Sequence, residues 1–133
     1  MNKFILLCLI ASICCGNINK AVAYLVKCPI ARENISSSKC VVNALQVGGF
    51  NFPRQASPYM YRTNGVLNKI GYKEIAKSSS FQKGDITVTE QNSFHPHGHI
   101  AMYSGSKWIS DFVQKNEFVF TSHQPPVHYF RLQ

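Results

Sequence analysis

The chain has 133 residues, of which 14 are Lys or Arg and 6 are Asp or Glu, for a formal net charge of +8. That length fits one small domain with a single core and leaves little room for a second. No repeat, long linker or low-complexity run interrupts it, and its apolar run from Phe4 to Cys15 falls well short of the about 20 residues a bilayer-spanning helix requires.

The first 23 residues have the form of a secretory leader: Lys3, the apolar run, then Ala21-Val22-Ala23 as a small-residue cleavage site. The reading is therefore a signal peptide over 1–23 and a secreted, extracellular domain over 24–133, with earlier cleavage near Gly16 as the alternative. Ile13 before Cys14 argues against a lipoprotein. Without Lys3 and Lys20, twelve basic residues face six acidic ones, a formal charge of about +6. Such a charge favours anionic partners such as a bacterial wall, or serves solubility alone. The basic residues are scattered and no recognised motif gathers them, so nucleic acid is not an expected partner. Nor is a membrane, for the mature domain, which is expected to be a monomer.

Cys8, Cys14 and Cys15 lie in the leader, so the mature chain keeps only Cys28 and Cys40. Two readings follow and stay open. A secreted chain with two cysteines forms one disulfide by default, whereas a reactive site would keep Cys40 as a free thiol.

In chain order, Tyr24 to Ile35 reads as an irregular lead-in, with Pro29 opposing a helix and Asn34-Ile35-Ser36 forming a glycosylation sequon. Ser36-Ser37-Ser38 and Gly48-Gly49 frame a helix from Lys39 to Val47 with Val41, Ala44 and Leu45 as its apolar stripe. Cys40 falls in its first turn, where the helix dipole and unpaired N–H groups favour a thiolate. Ser57-Pro58 opens a second helix that runs past Gly65 to stop at Gly71. Tyr72 to Ile75 and Ile86 to Thr89 read as strands, the second entered from the turn Lys83-Gly84-Asp85, where Asp85 serves the turn. Late strands are expected at Phe118-Val119-Phe120 and from Val127 to Leu132, around Gln124-Pro125-Pro126. Helices first and strands after predict an α+β domain with a mostly antiparallel sheet.

The chain is organised around Phe94 to Phe112, which alternates polar and apolar residues on both sides of Ser104-Gly105-Ser106 and so reads as a hairpin. If Tyr103 pairs with Lys107, His99 lies opposite Asp111, with Cβ atoms about 4.5 to 5.5 Å apart and the carboxylate able to orient the imidazole. A two- or four-residue loop shifts the register by one and puts Phe112 opposite His99 instead. In the first register Ile100, Met102, Trp108 and Phe112 take the core face. His95, His97 and His99 form His-x-His-x-His, which with Asp111 is the runner-up reading as a metal site, disfavoured by Pro96 and Gly98. The expected site holds no metal and no organic cofactor.

A cysteine opening a helix, Gly84-Asp85-Ile86 before a strand, Gly98-His99-Ile100-Ala101-Met102-Tyr103, and Asp111 twelve positions beyond the histidine resemble the NlpC-type papain-like cysteine peptidases of bacterial cell walls. The run Trp108 to Gln114 is similar to the second family of type VI secretion amidase effectors. The leader is similar to that of their domesticated, secreted arthropod homologues. The resemblance covers Cys40 to Arg131. It implies a papain-like fold with N-terminal helices packed on the sheet, and a secreted antibacterial hydrolase acting on peptidoglycan. It implies Cys40 as nucleophile, His99 as general base and then acid, Asp111 as the group orienting His99, and the Cys40 N–H as oxyanion donor. The second family implies cleavage of the D-Ala to diaminopimelate crosslink, while other families in the group imply the bond between D-glutamate and diaminopimelate. The alternative is a basic wall- or glycan-binding module closed by a Cys28–Cys40 disulfide and without catalysis.

Overall fold

The computed structural model describes residues 16–31, 39–77 and 80–133. The apolar run of the leader, the Asn34 sequon and the Ser36 to Ser38 cap lie outside these described residues. Among the described residues four helices, α1 (Ile18–Ala31), α2 (Lys39–Val47), α3 (Met60–Thr63) and α4 (Val66–Lys69), precede the strands. The strands are β1 (Tyr72–Ile75), β2 (Ile86–Thr89), β3 (His99–Tyr103), β4 (Trp108–Ile109), β5 (Val113–Gln114) and β6 (Val127–Leu132). They form one antiparallel sheet in the order β1, β6, β2, β3, β4, β5. The chain is thus α+β, helices first, as its order of elements implies.

The segment read as a leader end and irregular lead-in is helical in its described part. Ala21, Val22, Leu25 and Cys28 recur at helical spacing and are all buried, and this face packs α1 against α2. Pro29 sits in the last turn of α1, where the chain tolerates it without losing the packed face. The N-terminal end of α1 is tied to the end of α2 by the Asn17 N–H, which donates to the Gly48 carbonyl at 2.7 Å. The boundary expected after Ala23 therefore falls within a packed helix, with Ala21 and Val22 on its core side.

Helix α2 has the expected bounds and stripe, with Val41, Ala44 and Leu45 fully buried. Against them pack alternate strand residues, Ile86 and Val88 from β2 and Ile100 and Met102 from β3. The helix read as continuous from Pro58 to Ile70 is two short helices. Gly65, at φ +66°, adopts a left-handed conformation and breaks the ladder between them. Phe118 to Phe120 is not a strand. The Phe118 N–H donates to Asn116 Oδ1 at 2.8 Å and the Phe120 N–H to Gln124 Oε1 at 2.9 Å, so side chains satisfy groups that a ladder would have used.

The central hairpin has the longer loop. Tyr103 pairs with Trp108 and Met102 with Ile109, and the Ser104 N–H donates to the Lys107 carbonyl at 2.8 Å. One step of register exchanges the faces. Ile109 joins the core in the place expected for Trp108, and Trp108 packs on the other face against Tyr103 (5.1 Å) and Phe81 (5.0 Å). Beyond Ile109 the strand stops. The Ser110 N–H donates to the Phe112 carbonyl at 3.0 Å, and the chain turns back as β5. Phe112 is left 51% exposed rather than in the core.

Candidate active site

His99 opens β3, opposite Thr89 of β2. Gly98 before it holds φ +62°, and a Cβ there would sit 2.3 Å from the Thr89 carbonyl oxygen, so the backbone path that delivers His99 requires glycine. The His99 ring is buried, with Phe120 (6.1 Å) and Phe112 (6.3 Å) as aromatic neighbours. His99 lines a cavity of about 230 Å³ together with Phe94 to Gly98 and Phe120. His95 stacks on Phe120 at 3.6 Å and bonds the Ser122 carbonyl at 2.9 Å, while His97 Nδ1 meets Ser57 Oγ at 2.9 Å. The three histidines of the His-x-His-x-His run thus turn to three different partners. Among the described residues no three His, Cys, Asp or Glu side chains are placed to share a metal ion.

The side chain bonded to His99 is Gln114. His99 Nε2 lies 2.8 Å from Gln114 Oε1, and Gln114 Nε2 donates to the Asn116 carbonyl at 3.0 Å. The second bond fixes which way the amide points: its nitrogen faces a carbonyl, so its oxygen faces the imidazole. His99 Nε2 must then carry the hydrogen, which leaves Nδ1 as the basic nitrogen. Burial holds the His99 pKa below its ordinary value of 6.5, with the Gln114 bond acting in the opposite sense. The ring is therefore neutral at pH 7 and able to accept a proton.

That depression has a sign that stability measurements can read. A group whose folded pKa lies below its unfolded value costs nothing while both states are neutral. Below about pH 6.5 the unfolded chain takes up the proton first, so stability falls as pH drops from there toward the folded pKa. We expect the loss between pH 7 and 5 to shrink in His99→Gln. An unchanged slope of melting temperature against pH would show that His99 does not titrate in a buried state.

Asp111 caps α2. Its Oδ1 accepts the Cys40 backbone N–H at 3.2 Å, placing a carboxylate on the positive end of that helix. The hairpin's four-residue loop shifts the register from the one that sets Asp111 opposite His99, and the turn over 110–112 brings Asp111 to the start of α2. Cys40 is 2% exposed and is bonded to Cys28 of α1, twelve positions earlier. The free thiol expected of a nucleophile is thus absent in this state, and the two open readings of the cysteines resolve to the disulfide. Helix α2 packs on β3, so Cys40 and His99 stand on neighbouring elements, with Asp111 at Cys40 and Gln114 at His99. Gln114 does not stand out in the sequence, where the carboxylate of Asp111 is the more evident partner for an imidazole. Its one signal was its place in β5, two residues past Phe112, as a polar residue in a run that returns toward His99.

Helices packed on an antiparallel sheet, with a cysteine in the first turn of one helix and an amide-oriented histidine at the start of a central strand, define a papain-like α+β fold. Two solved structures are similar to it over nearly their whole length. The native effector–immunity complex Tae3–Tai3 of the type VI system of Ralstonia pickettii matches at 30% identity and a TM-score of 0.71, over 88% of this chain and 99% of that one. Its selenomethionine form matches at 31% identity and a TM-score of 0.69, over 83% and 97%. No family model matches the chain, and no curated protein does. The chain belongs to the Tae3 family of type VI effectors. The relation to type VI effectors anticipated from the sequence thus holds, through Tae3 where the second family was expected.

Proposed function

We propose that this protein is an antibacterial peptidoglycan amidase that cuts a stem-peptide amide by cysteine catalysis. The observation that carries the reading is the match to a Tae3 effector over 88% of this chain, joined to a buried histidine whose tautomer is set by Gln114 and Asn116. In the thiol form, His99 Nδ1 takes the Cys40 proton and the sulfur attacks the carbonyl carbon. The protonated ring then gives that proton to the leaving amine, and water hydrolyses the acyl-enzyme. The oxyanion falls to the Cys40 N–H, which Asp111 must release. Asp111 in this reading shapes the helix start, and Gln114 takes the orienting role.

The bond proposed is the D-Ala to diaminopimelate crosslink, with the D-glutamate to diaminopimelate bond as the alternative. Basic charge favours approach to the anionic wall, an attraction that salt weakens. The protein acts as a secreted monomer. Leader cleavage near Gly16 suits it better than cleavage after Ala23, because α1 then stays whole. Mass spectrometry of crosslinked muropeptides, incubated with thiol-reduced protein, tests the reading and identifies the bond. New stem-peptide products are the expected result, and their absence at any protein concentration would remove it.

One observation favours a second reading. The Cys28–Cys40 bond suits a wall-binding module without turnover. That reading requires peptidoglycan binding that survives reduction and yields no product.

A further inference from the structure

We propose that Cys28 is a resolving thiol, and that its bond to Cys40 is a reversible redox latch on the catalytic sulfur, opened by a low-molecular-weight thiol. The inference rests on the cysteine-amidase reading above and adds its regulation. Two independent features place Cys40 in an inactive state. Its sulfur is bonded to Cys28, so it has neither a proton for His99 to remove nor a thiolate to attack with. Its backbone N–H, the donor for the oxyanion, is already given to Asp111 Oδ1. A disulfide serving stability alone has no need to consume the one sulfur at the first turn of the helix beside β3. Beyond residue 15 the chain has no other cysteine, so exchange has no competing partner within the mature domain.

The packing suits a reversible bond. Cys28 lies on the buried face of α1 and Cys40 on that of α2, and these faces meet through Ala21, Leu25, Ala44 and Leu45 as well as through the sulfurs. That contact persists when the sulfurs part, so the two thiols stay paired for reoxidation. In opening, a reductant thiolate attacks one protein sulfur, the S–S bond breaks and a mixed disulfide forms. A second reductant thiol displaces the protein from it. The balance is two RSH consumed, one RSSR released, and two electrons and two protons transferred to Cys28 and Cys40. Both cysteines are at most 4% exposed, which favours small thiols over a bulky reductase. The protein would be silent in an oxidising compartment and active where thiols are supplied.

The test uses the full mature chain with dithiothreitol as reductant and two readouts, iodoacetamide labelling of Cys40 and release of muropeptides. For the wild type, labelling and release should both be near background without reductant and rise at least about tenfold with it. Cys28→Ser should label at Cys40 and cleave to the same level with or without reductant, and a far-UV spectrum and melt confirm that it folds. If it does not fold, the wild type with and without dithiothreitol carries the same comparison. Cleavage by wild type whose disulfide is intact by mass would overturn the latch, as would full labelling of Cys40 before reduction. Labelling that responds to reductant while neither protein cleaves would overturn the amidase reading, and the latch with it. Reductant-dependent labelling with reductant-independent cleavage would overturn the latch alone.

Discussion

Cys40→Ala and His99→Ala are each expected to lower muropeptide release by the reduced protein at least about 10³-fold, and Gln114→Leu by about 10- to 100-fold. In the proposed mechanism the first two remove the nucleophile and the group that takes its proton. Gln114→Leu leaves both but deletes the acceptor at 2.8 Å that assigns the hydrogen to Nε2, so the ring samples the wrong tautomer for much of the time. Its loss should fall in kcat with little change in KM, because Gln114 touches the imidazole and not the substrate. Gln114→Glu separates orientation from charge, since it keeps an acceptor at the ring and should raise the imidazole pKa. Cys40→Ala also removes the disulfide, which for a loop of twelve positions contributes about 3 kcal/mol in the chain-entropy account. Cys28→Ser shares that loss and keeps the nucleophile, so it is the proper stability control. Equal activity in His99→Ala and the wild type would end the cysteine mechanism.

The parts legible in the sequence were those fixed by local chemistry. Helix α2 and strands β1, β2 and β6 have the bounds that capping, glycine stops and alternation assign them. The errors share a physical origin, because in each case two structures use the same local pattern. Pro29 suits an irregular lead-in, and Ala21, Val22, Leu25 and Cys28 also suit the buried face of a helix, which packing against α2 brings out. Ser-Gly-Ser accepts a loop of three residues or of four, and the difference of one moved Trp108, Ile109 and Phe112 to other environments. The same step changed the register at His99 and made room for Gln114, which reaches the imidazole because β5 folds back on β4. Cys40 and His99 were legible as residue types in the right elements. Their partners depended on register, and the state of the sulfur depended on where α1 lies.

Asp85→Ala is expected to destabilise the fold by about 3 kcal/mol, the largest effect of a single change outside the candidate site. The Gly84-Asp85 pair was assigned to the turn before β2, and the structure extends that role. Asp85 Oδ1 accepts Arg131 Nε at 2.9 Å while Oδ2 accepts Arg131 Nη2 and the Gln82 N–H, both at 2.8 Å. A single buried carboxylate thus joins the entry of β2 to the end of β6, and β6 is the strand that links β1 to the rest of the sheet. Removing it leaves the Gln82 N–H and two guanidinium donors without their acceptor. The cost stays at the low end for a buried pair because the Arg131 side chain is 25% exposed and water recovers part of its hydration. Arg131→Lys should lose most of the same stability, since an ammonium cannot reproduce the two parallel bonds of the fork. In urea, Asp85→Ala should lower the midpoint at constant m. Pairing Asp85→Ala with Arg131→Met should recover part of the loss, because no unpaired cation remains. A cost below about 1 kcal/mol, or strict additivity in that double-mutant cycle, would mean that the pair is solvated and that burial of the β2 and β6 faces alone holds the sheet together.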